Sequence, residues 1–560
     1  MRSLKKRPRY AALALAGFLA VTGVLGAADG SNADDIAALK AQIAAQQKQL
    51  EALQSAIAEQ KKLLERVSAN QAAAAPMVRP ASLGEVSSLT PVVPQAPANP
   101  ALPVFAAQKA GSPGNPCEAG TDQNAVPPYL RLGNVCVTPI GFMDLTSVWR
   151  DKNAGSSIGS NFGSVPYNTA STSKLSEFHF SPQNSRIGFR IDGQWKDTHF
   201  IGYNEFDFLS SATPVSSGVT NGAFVPRIRL YWVDVRKNKL EFLAGQSWSL
   251  LTPNRVGLSP LPGDIFYSQV MDVNYLAGLT WTRQPGVRLV YHPTDKVAVG
   301  LAFENPTDYV GGSAGGSGIT YPSASALSGL AGAQLDNTSG NVLSTPTLMP
   351  DIIAKMAFDP NPRAHIEIAG ILSEFKIWNS ANNTYSTTTG RAGSLNMNFG
   401  LTKDIRLISN NFYGAGEGRY LFGQAPDVVV RADGSLQPVF SAGFNEGLEA
   451  TVMKKLLLFG YFGNIYIEKA ALLDANGKTP IGYGYTGSAN SQNRDINEVT
   501  FGFNYTFWKD AKYGAMNVIG QYEWLMRDPW YVAAGAPKAT HDSTIYFDVR
   551  YSLPGSMPKF

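Results

Sequence analysis

The side chains in this sequence whose type and spacing suit chemistry are arginines. Arg186 and Arg190 share one face of an extended segment, as do Arg227 and Arg229 in another, and Arg150 and Arg288 take the same face of two more. Glu205 and Asp207 lie in the segment between the two pairs. A guanidinium is a planar fork of donors that captures carboxylate or phosphate in bidentate fashion. A ladder of such cations beside a few carboxylates makes a transverse field across a water-filled space and favours anions there. The alternative is that the same groups brace a wall as salt bridges.

Other chemical signals are weaker. Gly482, Gly484 and Gly487 match a dinucleotide-binding string, but Ser488-Ala489-Asn490-Ser491-Gln492 does not open a helix, so the string reads as a loop. No Ser/His/Asp or paired-carboxylate arrangement stands out, and no enzymatic activity is expected. His179, His199, His292, His365 and His541 have no metal-ligand spacing and none adjoins a cysteine. Neither a metal nor another cofactor is expected.

The arginines sit on segments of period two. Ile545, Phe547, Val549, Tyr551 and Leu553 alternate with Thr544, Tyr546, Asp548 and Arg550. Val499, Phe501, Phe503, Tyr505 and Phe507 alternate with Glu498, Thr500, Gly502, Asn504 and Thr506. A strand with one face in hydrocarbon and one in water has this pattern. Sixteen such segments fill residues 137–560: 137–150, 178–193, 198–210, 224–237, 239–250, 277–291, 296–306, 350–358, 363–377, 391–402, 405–421, 441–454, 456–469, 496–508, 513–527 and 541–553. Short turns such as Lys237-Asn238 and Lys403-Asp404 alternate with links such as 151–177, 251–276, 307–349, 378–390 and 422–440. The expected fold is therefore an all-β transmembrane barrel of about sixteen antiparallel strands. The 251–276 link carries Asn254, Arg255, Asp264 and Tyr267 among prolines, and is expected to fold inward as a constriction; the alternative is a surface loop.

Composition agrees. The chain has 560 residues, only 16% charged and 11% aromatic, with 54 glycines and 35 prolines. Wholesale disorder, collagen and a disulfide-dense miniprotein are excluded. Past residue 28 no apolar run reaches the length of a membrane helix, and mean hydropathy is −0.11.

Residues 1–28 read as a secretory signal: Arg2, Lys5, Lys6, Arg7 and Arg9, an apolar run from Ala11 to Leu25, then Gly26-Ala27-Ala28. Its removal takes the net charge from +4 to −1, which leaves no basic body for nucleic acid. In an exported chain the two cysteines, Cys117 and Cys136, suggest a disulfide, with two free thiols as the alternative. Residues 34–67 carry heptads with Ile36, Ile43, Leu50, Ile57 and Leu64 at a and Leu39, Gln46, Leu53, Gln60 and Val67 at d. The α-helical coiled coil this predicts leans toward a trimer. Residues 68–128 hold eleven prolines and five charged residues and read as a Pro/Ala-rich linker.

The stretches Asn184-Ser185-Arg186-Ile187-Gly188-Phe189, Arg227-Ile228-Arg229-Leu230-Tyr231 and Gly245-Gln246-Ser247-Trp248-Ser249 resemble the porin superfamily, and more narrowly its DcaP-like trimeric porins. The resemblance spans residues 34–67 and 137–560. It implies a homotrimer in the bacterial outer membrane, among lipid and lipopolysaccharide. It also implies passive diffusion of small anionic solutes such as dicarboxylates, with the pore narrowed by the loop after the Gly-Gln-x-Trp-Ser strand. The coiled coil would then lie in the periplasm. Three alternatives stand beside diffusion: a channel specific for phosphate or sugars, an anchor whose coiled coil engages peptidoglycan, and a barrel enzyme. The long linker with its cysteines, the 307–349 loop and the Pro-rich C-terminus depart from the family.

Overall fold

The structure is a computed structural model that describes residues 129–211, 224–311, 318–324, 334–336, 347–379, 382–510 and 512–554. All of these fall within the second of two compact units, Pro80–Phe560. The signal segment 1–28, the coiled coil 34–67 and the linker 68–128 lie outside the described residues.

Among the described residues, sixteen staves close into one antiparallel barrel. They are β1 (Val135–Arg150), β2 in two pieces (Glu177–Ser181 and Arg186–Trp195), β3 (Thr198–Ser211) and β4 (Phe224–Lys237). Then come β5 (Leu240–Trp248), β6 (Arg283–Thr294), β7 (Val297–Glu304), β8 (Asp351–Asn361) and β9 (Ala364–Asn379). Next are β10 (Thr384–Gly400), β11 (Ile405–Ala415), β12 (Phe440–Val452) and β13 (Leu456–Ile467). The last are β14 (Asn493–Asp510), β15 (Gly514–Pro529) and β16 (Thr540–Ser552). Closure comes from β16 on β1, with Phe142 opposite Ser552 and Arg150 opposite Thr544. Closing the sheet removes its edges, which lets a barrel satisfy every backbone group where no water is present.

The alternation read from the sequence sets the two faces. Ile545, Phe547 and Val549 are exposed, and Thr544, Tyr546, Asp548 and Arg550 between them are buried. On β14, Val499, Phe501, Phe503, Tyr505 and Phe507 face out, while Glu498, Thr500, Asn504 and Thr506 are buried. An exposed apolar band of this extent is unfavourable in water and favourable in hydrocarbon. One rim of the barrel carries short turns; the other carries the long loops.

The boundaries depart from the sequence expectation in four places. β2 is interrupted because Pro182 has no N–H to donate, and Ser185 N–H closes a turn on the Pro182 carbonyl at 3.0 Å. β9 and β10 run on to pair Asn379 with Thr384, so the expected 378–390 link is a tight connection; its Thr-rich residues suit a strand. β6 begins at Arg283, not at 277, and β11 ends at Ala415, not at 421. In both cases the missing residues have turned into the barrel, where they find buried partners.

Candidate functional site

The lumen is occupied by three inward segments. One runs from Ser249 to Thr282, the second from Gly416 to Val439, and the third is the stretch around Ile158–Val165. Leu251, Val273, Tyr275, Leu276 and Ala277 in the first, and Leu421 and Val428–Val430 in the second, are fully buried. The strap at 249–282 is longer than the 251–276 expected from the sequence. The Gly416–Val439 inset was not anticipated; its only signal was the loss of alternation after Ala415.

The strap is tied to the wall at three stations. At the first, Arg255 donates to both oxygens of Glu449 on β12 at 2.6 and 2.9 Å, and to the Tyr267 carbonyl at 2.8 Å. The Tyr461 hydroxyl donates to the same Glu449 at 2.6 Å. At the second, the Asn254 N–H donates to Glu367 on β9 at 3.2 Å and the Gly257 N–H to Asp359 at 3.0 Å. Lys355 on β8 joins Glu367, at 2.8 Å, to the Thr252 carbonyl, at 2.7 Å, and to Asn254 Oδ1, at 2.9 Å. His365 bridges Asp359 and Glu367 at 2.8 and 3.1 Å. Because Asp359 belongs to the short-turn rim, this part of the strap reaches down the length of the wall. At the third, the Ala277 N–H donates to Glu498 on β14 at 2.7 Å, and the Tyr546 hydroxyl to Asp272 at 2.9 Å. Gly278 lies so close to β13 that a Cβ on it would stand 2.2 Å from the Asn464 carbonyl oxygen, and its φ is +82°. Only glycine fits there.

Of the expected constriction residues, Asn254, Arg255 and Tyr267 are buried, and Asp264 is half-buried. Asp264 contributes its backbone carbonyl to Arg255 N–H at 2.7 Å, which folds the strap on itself.

The arginines divide into groups. Arg186, Arg227 and Arg229 converge with Glu205 and Asp207. Arg229 contacts Glu205 at 2.6 Å and Asp207 at 3.0 Å; Arg227 contacts Asp207 at 2.8 Å; Arg186 contacts Glu205 at 3.3 Å. A bulge opposite Glu205/Phe206 turns both Arg229 and Leu230 inward and so breaks strict alternation. Arg150 is apart from this group, with Glu177 at 2.8 Å and the Tyr546 hydroxyl at 3.2 Å. Arg190 pairs with Asp192 at 2.7 Å, and Arg288 donates to the Trp248 carbonyl at 2.6 Å. The six do not form one continuous ladder.

One arginine was missed. Arg283 stacks 5.5 Å from the Trp248 ring and interacts electrostatically with Arg227, Arg229 and Asp207. Counting by two from the exposed Val287 and Leu289 puts it outward, so only pairing with Trp248 across β5–β6 reveals it. With Arg283 the cluster sets four guanidinium groups against two carboxylates. Arg283 Nε and Nη1 and Arg186 Nε and Nη2 are buried and make no hydrogen bond among the described residues. Trp248, Tyr267, Tyr275 and Trp281 pack beside the cluster, with ring centroids 5.1–6.1 Å apart. Such an arrangement can hold a planar anion by paired N–H donors and ring contact.

Cys136 is held in a disulfide, and Cys117 lies outside the described residues. The glycines 482, 484 and 487 sit at the end of a short hairpin and in the turn after it, among long-loop residues. Among the described residues, no cluster of His, Cys, Asp and Glu has a geometry that could hold a metal ion.

No family model matches the sequence, and no curated protein matches it. Solved structures do. The chain is similar to the outer membrane channel DcaP of Acinetobacter baumannii, with a TM-score of 0.54 at 15% identity, over 75% of this chain and 97% of that one. OmpT, an outer membrane protein of Vibrio cholerae, superposes at 0.38 with 11% identity, over 76% of this chain and 99% of that one. The Salmonella typhi OmpF complex with daunomycin does so at 0.38 with 11% identity, over 74% and 97%. The closed sixteen-stranded antiparallel barrel is thus a porin-type fold, shared with the DcaP channel.

Proposed function

We propose that this protein is an outer-membrane diffusion channel for small hydrophilic solutes, with a preference for anions such as dicarboxylates. The observation that carries the reading is the pairing of an apolar outer band with a charged interior crossed by a strap. A membrane supplies the first environment and a solvated passage the second. The anion preference rests on the arginine cluster, in which four guanidinium groups face two carboxylates beside a set of aromatic rings. In this reading the strap sets the size limit. The protein assembles as a homotrimer with the coiled coil in the periplasm, and lipopolysaccharide surrounds the long-loop rim. The chemistry is passage, with no bond made or broken.

The test is planar-bilayer conductance of the purified protein in a salt gradient, with and without a dicarboxylate. Steps in threes, with a reversal potential of anionic sign and a block by dicarboxylate, are expected. A silent bilayer from folded, heat-modifiable protein sinks the channel reading. One observation favours a second reading. The inward side chains of β14–β16 and β1 are buried along nearly their whole length against the inset segments. A barrel stoppered this way suits an anchor that holds peptidoglycan through the coiled coil. That reading expects no conductance and co-sedimentation with cell walls.

A further inference from the structure

The short-turn rim carries a feature that the channel reading does not use. Every one of its seven turns bears an exposed basic side chain: Lys196, Lys239, Lys296, Arg363, Lys403 and Lys454, with Lys512 on the last. Between the strand ends, four of these turns have no acidic residue, and the other three hold a single aspartate each, Asp197, Asp295 and Asp404. Among the described residues, the ion pairs that lysines make at these turns are loose, Lys237 to Asp197 at 3.6 Å and Lys403 to Asp404 at 3.9 Å. The long-loop side lacks this uniformity; Asp308, Glu417 and Asp427 gather there around Arg419.

Beside these cations the same rim exposes apolar and aromatic side chains: Trp195, Leu240, Leu401, Met453 (80% exposed) and Tyr513. The Lys196 ammonium stands 4.7 Å from the Trp195 ring centroid. Large apolar groups interleaved with lysines are the arrangement that suits a bilayer boundary. The rings sit at headgroup level, and the lysine stems lie along the apolar surface while the ammonium groups reach outward. We propose that this basic collar docks on the phosphates of anionic phospholipids in the leaflet that meets the short turns. The proposal rests on the membrane reading above. A lysine near an anionic bilayer surface favours contact by roughly fivefold, so a collar of seven turns selects anionic over zwitterionic lipid strongly at low salt.

The test uses the full-length protein refolded into vesicles of phosphatidylcholine containing a minor fraction of phosphatidylglycerol. Insertion is scored first, by heat-modifiability on a gel. The lipids retained by the protein are then compared with the bulk. Phosphatidylglycerol should be enriched several-fold in the retained shell. The enrichment should fall toward the bulk ratio in Lys196→Gln/Lys296→Gln/Lys403→Gln/Lys454→Gln, and at high salt. A control with as many long-loop lysines replaced, Lys174→Gln/Lys469→Gln/Lys478→Gln/Lys538→Gln, should keep it. Protein that does not insert refutes the membrane reading and the collar with it. Inserted protein with no enrichment, or with the same enrichment in both variants, refutes the collar alone. Lysine-dependent retention on isolated cell-wall sacculi without any lipid preference assigns the collar to the wall and also overturns it.

Discussion

Replacing Arg255 by alanine should release the strap. In the intact protein Arg255 gives Glu449 two contacts, at 2.6 and 2.9 Å, and its guanidinium stacks 4.9 Å from the Phe266 ring. Glu449 is 1% exposed, and without Arg255 its remaining close donor is the Tyr461 hydroxyl. Removing one partner of a buried pair costs about 3–5 kcal/mol, because the other charge stays desolvated. That corresponds to roughly two to three and a half decades in the population of the docked strap. Replacing both partners, as Arg255→Met/Glu449→Leu, leaves no orphan charge and should recover most of the loss. The assay is paired: single-channel recording for the strap, and thermal unfolding followed by heat-modifiability for the barrel. Arg255→Ala should give larger and noisier conductance and a lower unfolding temperature, and the double variant should lie near the parent in unfolding. If the single variant matches the parent in both, the pair does not hold the strap. If the double variant is as unstable as the single, the cost was packing and not the orphaned carboxylate.

Other tests address separate parts. Arg186→Gln/Arg283→Gln should bring the cluster near neutrality and shift the reversal potential toward zero in a salt gradient, with little change in unfolding; an unmoved potential assigns both to wall bracing. Arg229→Gln should in addition destabilise the barrel, by about 1.5–3 kcal/mol, since Glu205 and Asp207 lose the guanidinium they share and each keeps only one arginine, Arg186 and Arg227, and urea unfolding reads this. Gly278→Ala should cost about 1–3 kcal/mol from its φ alone, before the clash with Asn464 is relieved, so parent-like conductance and stability would contradict the close approach. On the long-loop side, burial raises Asp308 from the ordinary 3.8 to about 8 and Asp427 to about 7. A carboxyl with a raised pKa favours the folded loop when protonated. The loop contact through Tyr309 N–H and Asp427 should therefore be tightest in acid, weaken as pH rises above about 4, and level off above about 8. Exchange of the Tyr309 and Arg419 amides, corrected for intrinsic rates, should follow this course, and Asp308→Asn should make it shallower and leave the part due to Asp427; protection that grows with pH refutes the assignment.

The sixteen staves were legible in the sequence because a membrane barrel repeats one local rule. Each strand alternates lipid-facing and lumen-facing side chains, and Ile545 through Tyr551 states that rule without reference to anything distant. The same rule placed Arg150, Arg186, Arg229, Glu205 and Asp207 on the inner face. It failed where the rule itself is suspended. The bulge beside Glu205/Phe206 puts Arg229 and Leu230 on one face, and the entry of β6 turns Arg283 inward against the count. The prolines of 251–276 were visible in the sequence as a stiffened link, but the partners of the strap were not. Glu449, Glu367 and Glu498 lie roughly 110 to 220 residues from the groups they hold, and nothing local in 249–282 names them. The inset at 416–439 left only a faded alternation as its trace. Periodicity is a property of neighbouring residues and survives in the sequence. Which charge meets which across a lumen depends on barrel closure and register, and these exist only once the chain has folded.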